Sequence, residues 1–379
     1  MFDVLLSLAI SFTITFLAIP AIITVAESKK LFDLPDERKI HQAHIPSLGG
    51  LGIFAGFILA CLLSISLNTA PEFQYFLAAA MVMFFLGLKD DILVISPIKK
   101  FIGQVLAAFL IIYKGGVQIT SMHGFLGINE LPEMFSILLT YFTVIVIINS
   151  FNLIDGIDGL AGTLGIISAA IFGSYFLAAG MIPYAVFGFG LAGSLTAFLI
   201  FNYHPAKIFM GDTGSMLIGL VNAILVVKFI SVAQTQGISV PVYAAPAVGF
   251  TVLLIPLLDT LRVFGIRIFH QRSPFIPDRN HIHHLMLDKG WSHNTITFTL
   301  AGFSLAFVAA SYLFRLAGCT WIVLAGTALF FAGIATLYYT RKHPRLFVAR
   351  MEAGKLEHQG TRIVPLTKDI VLEQQNLKG

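Results

Sequence analysis

The sequence predicts an all-α membrane protein that crosses the bilayer many times, and three observations carry that prediction. Hydrophobic residues make up 57% of the 379-residue chain and charged ones only 12%, against roughly 45–50% and about 25% in water-soluble domains. Apolar runs of spanning length recur from residue 4 to residue 340 without a soluble interruption. Threaded alternately through a bilayer, these runs leave 21 of the 24 Lys and Arg residues on one side. The expected organisation is a multi-span membrane domain over 1–340 and a basic cytoplasmic tail over 341–379.

At about 20 residues per helix, about eleven spans are expected, near 4–26, 49–68, 74–89, 101–114, 134–150, 159–179, 183–201, 213–231, 243–266, 295–315 and 320–340. The third, fourth and fifth are short, so neighbouring protein must cover their polar ends. The first run follows Asp3 where a secretory signal would carry basic residues, and it is long enough to span, so it is expected to stay attached. An odd number of spans puts the termini on opposite sides, with the N-terminus periplasmic and the C-terminus cytoplasmic. Only Lys114, Lys228 and Arg315 then fall at outer ends.

Cys61 and Cys319 lie in different apolar runs and read as small hydrophobes, which points to neither a disulfide framework nor a metal cluster. The net charge of +4 is no nucleic-acid signal, because the basic residues are scattered over many loops with no stacking platform between them. The tail, with eight basic and four acidic residues, serves either as a topology determinant or as a surface for anionic membrane lipid.

Acids and histidines were free to fall on either face, yet most fall with the basic residues. Asp90 and Asp91 close the third span in GLKDDILVISPIKK. Adjacent carboxylates at a membrane boundary repel unless a cation or proton sits between them, and Mg²⁺ suits them; solvated acids balanced by Lys89, Lys99 and Lys100 are the plainer reading. In NSFNLIDGIDGLAGT, Asp155 and Asp158 would share one face if the segment is helical, with Gly156, Gly159 and Gly162 admitting a phosphate or a metal-bound substrate. A glycine-rich turn with capping acids is the alternative.

Asp212 in FMGDTGS sits where a loop enters a span, either as a helix cap or as a carboxylate holding a metal beside phosphate at a helix N-terminus. RSPFIPDRNHIHHLM packs His281, His283 and His284 beside Arg272 and Arg279. The H-x-H-H spacing matches no common zinc site, and the basic donors suit an anionic phosphate. Acidic metal ligands, a helix-end phosphate site and a basic cluster on one face describe phosphoryl transfer, with a lipid as one reactant.

These motifs, in the order DLPDERKIHQAHIPSLGG, KDD, NLIDGIDGL, FMGDTGS and DRNHIHH, resemble those of the polyprenyl-phosphate N-acetylhexosamine-1-phosphate transferases from about residue 31 to residue 350. SPFIPDRNHIHHLM is more similar to the branch acting on UDP-N-acetylglucosamine than to the branch handling the muramoyl-pentapeptide nucleotide. The resemblance implies transfer of N-acetylglucosamine-1-phosphate from UDP-N-acetylglucosamine to undecaprenyl phosphate with release of UMP, the first lipid-linked step of a surface polysaccharide such as O-antigen. It also implies Mg²⁺, with Mn²⁺ as the substitute, a bacterial inner-membrane location and a site facing the cytoplasm.

Residue by residue, the resemblance makes Asp212 the principal metal ligand, with Asp90 and Asp91 beside metal and acceptor, and Asp90 as base or activator of the lipid phosphate. Asn152, Asp155 and Asp158 match nucleotide and metal-site positions, Phe209 the aromatic that stacks on uracil, and Lys100 the basic residue after the aspartate pair. Arg279, His281, His283 and His284 match the diphosphate-binding loop. Lys39 and His41 fall in the first motif. Asp259 and Arg262 read first as a local ion pair, with a role near the site open. A homodimer is left open. The rival readings are the muramoyl-pentapeptide branch and, in another class, a secondary transporter, whose ionisable residues should lie at mid-membrane in broken helices.

Overall fold

In the computed structural model, the described residues are 1–29, 45–235, 238–271 and 280–340. They form a helical bundle whose exposed and enclosed faces reverse those of a soluble protein. On helix α4 (Pro97–Phe109, extended by a π-helical turn over Leu110–Lys114) the enclosed residues are Gln104, Ala107 and Ala108, while Ile98, Phe101, Ile102, Leu106 and Phe109 point outward. An apolar outer face is stable only against lipid, where backbone groups must pair within their own helix. The chain is an all-α polytopic membrane protein.

The bundle runs α1 (Phe2–Lys29), α2 (Gly49–Ser64), α3 (Phe73–Ile92), α4, α5 (Glu133–Ile154), α6 (Leu160–Ala178), α7 (Ile182–Asn202), α8 (Gly211–Val232), α9 (Ala245–Val252), α10 (Leu254–Phe269), α11 (Ile282–Leu287), α12 (His293–Leu313) and α13 (Cys319–Tyr339). Each of the eleven expected runs is occupied by helix. Seven helices among the described residues are long and apolar enough to cross a membrane alone, or eight if α9 and α10 count as one span. The others are short or carry charge at one end, as α3 does with Lys89, Asp90 and Asp91.

Lipid gives no hydrophobic drive to join helices, so small residues and hydroxyls do it. Ser7, Ser11 and Thr15 recur every four residues on α1, all fully enclosed. The Ser7 hydroxyl donates to the Val186 carbonyl at 3.1 Å and Thr15 to the Gly52 carbonyl at 3.0 Å. Facing glycines leave that room: a methyl group on Gly56 would overlap Thr15, and one on Gly193 would overlap Ser11. Helix α8 is the axis. Every residue from Thr213 to Val227 is buried, and α2, α3, α5, α6, α7 and α9 pack around it.

Two features depart from the expected string of simple spans. The segment expected as one helix over 243–266 breaks at Leu253, and α9 and α10 meet at 78°. Pro256 explains the break, since it has no N–H to bond four residues back and its ring crowds that carbonyl. A hairpin, β1 (Ser121–Phe125) with β2 (Ile128–Glu130), lies at the end of the bundle remote from the polar motifs. Its turn holds Leu126 and Gly127 at φ +52° and +80°, the paired positive values that suit a tight hairpin.

Candidate active site

The site begins with how α8 starts. Gly211 enters the helix at φ +71°, and a side chain there would overlap the Ser47 carbonyl and the Asp91 carboxylate. The first turn is held by other elements: Gly49 and Gly50 donate to the Phe209 and Met210 carbonyls at 2.9 and 2.8 Å, and Phe209 donates to Pro46 at 2.8 Å. Helix α3 supplies the cap. Gly87 lets α3 approach Thr213 closely, and one turn further on Asp91 accepts from the Asp212 and Thr213 amides at 2.7 and 3.1 Å and from the Thr213 hydroxyl at 2.5 Å. A carboxylate answering a helix N-terminus gains from free amides and dipole alike.

Adjacent residues on a helix face about 100° apart, so Asp90 looks elsewhere. Its carboxylate accepts from the Ile95 amide at 2.7 Å and pairs with Lys100 of α4. The same ammonium pairs with Asp212. Asn152 of α5 donates to Asp212 at 2.8 Å and to the Ser215 hydroxyl at 3.0 Å. One turn deeper α4 and α5 meet directly: Gln104 and Asn149 exchange amide hydrogen bonds of 2.9 and 3.3 Å. A cleft opens beside this ladder, lined by Lys100, Gln104 and Asn152 and by the apolar Phe101, Leu153 and Phe264.

Asp155 and Asp158 do not share a helical face. Helix α5 ends at Ile154 and α6 begins at Leu160 with Gly159 at φ +78°, so the two acids stand in a turn. Asp155 is half-buried, and no hydrogen bond to it is formed by the described residues. Burial first, then the charges of Asp212, Asp91 and Asp158, push its carboxyl up to about 8. Asp158 is buried and turned away, its Oδ2 accepting from His204 Nδ1 at 2.7 Å and from the Ala206 amide at 3.2 Å. The expected catalytic quartet of Asp90, Asp91, Asp155 and Asp158 therefore divides into members with different partners.

The histidine motif reaches the same end of the bundle. Asp259 of α10 is fully buried and takes Arg262 Nη2 at 2.9 Å, the local pair expected from spacing. It also takes His281 Nδ1 at 2.8 Å and the Ile282 amide at 2.9 Å. With its main chain fixed this way, His283 lies over Gly156, where a methyl group would overlap the imidazole. Burial first, then the charge of His284, hold His283 far down at about 3, so the ring is neutral. Phe209 is half-buried. Arg279, Arg272, Lys39 and His41 lie outside the described residues.

Local sequence gave no signal for several members of this network. Gln104 is an ordinary residue of an apolar run; Asn149, Thr213 and Ser215 fall within motif strings, but nothing there sets them apart from their neighbours, and their partners are distant in the chain. His204 and His293 carry no motif.

The donor set fits a hard divalent cation. Asp90 and Asp212 share one cation already, the Lys100 ammonium, and Asp155 stands near Asp212 with no donor of its own to neutralise it. Carboxylate oxygens without sulfur or imidazole suit Mg²⁺ or Mn²⁺.

Fold and site together define a multi-pass membrane transferase with its polar groups gathered at one end of the bundle. The model of glycosyl transferase family 4 matches residues 73–230. The chain is 33% identical over 286 residues to the undecaprenyl-phosphate alpha-N-acetylglucosaminyl 1-phosphate transferase of Yersinia pestis, covering 73% of this chain and 76% of that one. It is 34% identical over 335 residues to the decaprenyl-phosphate N-acetylglucosaminephosphotransferase of Mycobacterium tuberculosis, covering 80% of each. With the Mycobacterium leprae protein of the same name it shares 33% over 356 residues, 86% of this chain and 87% of the other. The chain belongs to this family of transferases.

Proposed function

We propose that the chain transfers N-acetylglucosamine-1-phosphate from UDP-N-acetylglucosamine to a polyprenyl phosphate at the cytoplasmic face of a bacterial inner membrane. The product would be the first lipid-linked intermediate of a surface polysaccharide. The carrying observation is the meeting of Asp90, Lys100, Asn152 and Asp212 at one capped helix end, beside a cleft lined by both polar and apolar side chains. The apolar side chains suit the acceptor's isoprenoid chain. Relatives are named for both undecaprenyl and decaprenyl acceptors, so the acceptor class is polyprenyl phosphate of either length.

In this reading an oxygen of the acceptor phosphate bonds to the β-phosphorus of the nucleotide sugar. The bond from that phosphorus to the bridging oxygen breaks, and its electron pair leaves with UMP. A Mg²⁺ ion, with Mn²⁺ able to replace it, would be held by Asp212 and Asp90 with Asp155 near, and supplies positive charge to the diphosphate. Lys100 neutralises phosphate charge once released from its two carboxylates, and Asn152 fixes the Asp212 rotamer. Asp90, paired with the Lys100 that lines the cleft, is the group placed to activate the acceptor. Asp91 keeps the α8 terminus aimed, and Phe209, next to that terminus, is the aromatic offered to uracil. His283 and His284, with Arg279, serve the diphosphate, while His281 is spent on Asp259.

The test supplies purified protein with radiolabelled UDP-N-acetylglucosamine, UDP-N-acetylgalactosamine or the UDP-muramoyl-pentapeptide, together with undecaprenyl or decaprenyl phosphate. Label should enter the lipid from UDP-N-acetylglucosamine with one UMP released per transfer, and chelation should stop it. Label entering only from the muramoyl-pentapeptide nucleotide would assign the chain to that branch instead.

A further inference from the structure

We propose that Asp158, His204 and His293 form a second cation site, for an ion of the Zn²⁺ class, separate in place and chemistry from the carboxylates around Asp212. The three come from different parts of the chain: the α5–α6 turn, the α7–α8 loop and the first residue of α12. Their candidate ligand atoms all lie within 4.8 Å of one another. His204 Nδ1 is 2.7 Å and His293 Nδ1 is 3.4 Å from Asp158 Oδ2, and the imidazole centroids are 4.6 Å apart.

The distances are close to those of a filled site. With ligands about 2.0–2.1 Å from a tetrahedral Zn²⁺ ion, neighbouring ligand atoms lie roughly 3.3 Å apart. The His293–Asp158 separation already has that value, and the His204–Asp158 pair needs to open by about 0.6 Å. His204 can make that adjustment because its side chain is 43% exposed. Asp158 and His293 are buried and anchored, the first by the Ala206 amide on its carboxylate and the Thr297 hydroxyl on its carbonyl at 3.2 Å each, the second by the start of α12. Two ligands are fixed and the third is the adjustable one.

Tautomerism points the same way. The Asp158 amide donates to His293 Nδ1 at 3.4 Å, so that nitrogen carries a lone pair and not a proton, held only by a long hydrogen bond that a metal ion would displace. Two imidazole nitrogens select Zn²⁺, Co²⁺ or Ni²⁺ over Mg²⁺, and the exposed side at His204 leaves the fourth position to water. Three protein ligands and one open position describe an exchangeable ion. It would tie the turn carrying Asp155 and Gly156 to the loop leading into Phe209 and Asp212, which places the ion where it can govern the spacing of the transfer site.

The test uses tag-free full-length protein in detergent, stripped with chelator and then held in excess Mg²⁺. Titration with Co²⁺ should develop the visible absorption of a four-coordinate ion at one equivalent, bleached by Zn²⁺ and not by further Mg²⁺. His204→Ala and the more conservative His204→Asn should weaken Co²⁺ binding at least tenfold while circular dichroism and Tm show the bundle intact. Asp212→Asn should leave the band in place. The proposal is overturned if no such band forms, if both His204 variants bind as the parent does, or if the band is lost in Asp212→Asn. A band lost in His284→Ala but kept in His204→Ala would move the ion to the histidine motif, and the proposal would fail in that case too.

Discussion

Asp212 and Asp259 both stand at the site end of the bundle, and their neighbours answer them differently. Asp259 is sealed from solvent and answered by an arginine, an imidazole and a main-chain amide, all on short fixed elements. Asp212 is a quarter exposed and answered by a neutral amide and by the ammonium of Lys100, a long flexible side chain shared with Asp90. The first arrangement is a strut, costly to disturb because His281 and the Ile282 amide would be left buried and unanswered and Arg262 would keep only the Asn280 carbonyl. The second can exchange its cation without disturbing the backbone. A site that must take up and release phosphates needs both kinds, and here they are on different helices.

The contrast breaks most directly at Asp212. In Asp212→Asn the transfer rate should fall about 10³-fold or more, roughly 4 kcal/mol of transition-state stabilisation, with helical content and Tm unchanged. Near-normal turnover in that variant would remove Asp212 from the exchangeable role. Asp259→Ala should behave in the opposite sense, losing about 3–5 kcal/mol of stability by taking the carboxylate from buried Arg262, His281 and the Ile282 amide; a Tm equal to the parent's would show that the strut bears no load. Lys100→Met should lower turnover about 100-fold with little change in Tm, and Lys100→Arg should not restore it, because the larger planar guanidinium does not fit the place of a compact ammonium between Asp90 and Asp212.

Smaller effects sharpen the comparison. Gly156→Ala should lower Tm and cost about tenfold in turnover, roughly 1.4 kcal/mol, by pushing the His283 ring aside. Removing that ring in the Gly156→Ala, His283→Ala pair should return the lost Tm, whereas a Tm that stays low would place the fault in the turn's backbone. The last is a pH effect at Asp155. Its carboxyl titrates near 8 when folded and near 3.9 when unfolded, so the folded chain holds the extra proton between those values. Stability in chelator should be full below about pH 4 and decline as pH rises through about 8. Asp155→Asn should flatten that decline, and an unaltered slope would assign it to another group.

The membrane class and the position of each helical run were legible because apolar run length is a local property. The break at Leu253 had a visible cause in Pro256, yet the run around it is apolar enough to hide a bend. The hairpin was hidden for another reason: SMHGF and INE show no apolar alternation. At the site, the sequence named most of the side chains that converge and misjudged how they face. For Asp155 and Asp158 the sequence left a shared helical face and a glycine-rich turn both open, and the chain takes the turn, between the end of α5 at Ile154 and the start of α6 at Leu160. Asp90 and Asp91 are indistinguishable as a dipeptide, and only the approach of α3 to α8 at Gly87 decides which one caps. His204 and His293 meet Asp158 from 46 and 135 residues away, a distance over which no local pattern reports.

The enclosure of α8 has a mechanical consequence. A helix walled by six others along fifteen consecutive residues cannot tilt or slide without emptying much of the core, so Asp212 rides on a stationary post. Adjustment to substrates would then fall to side chains that can swing, Lys100 first among them, and not to the helix that carries Asp212.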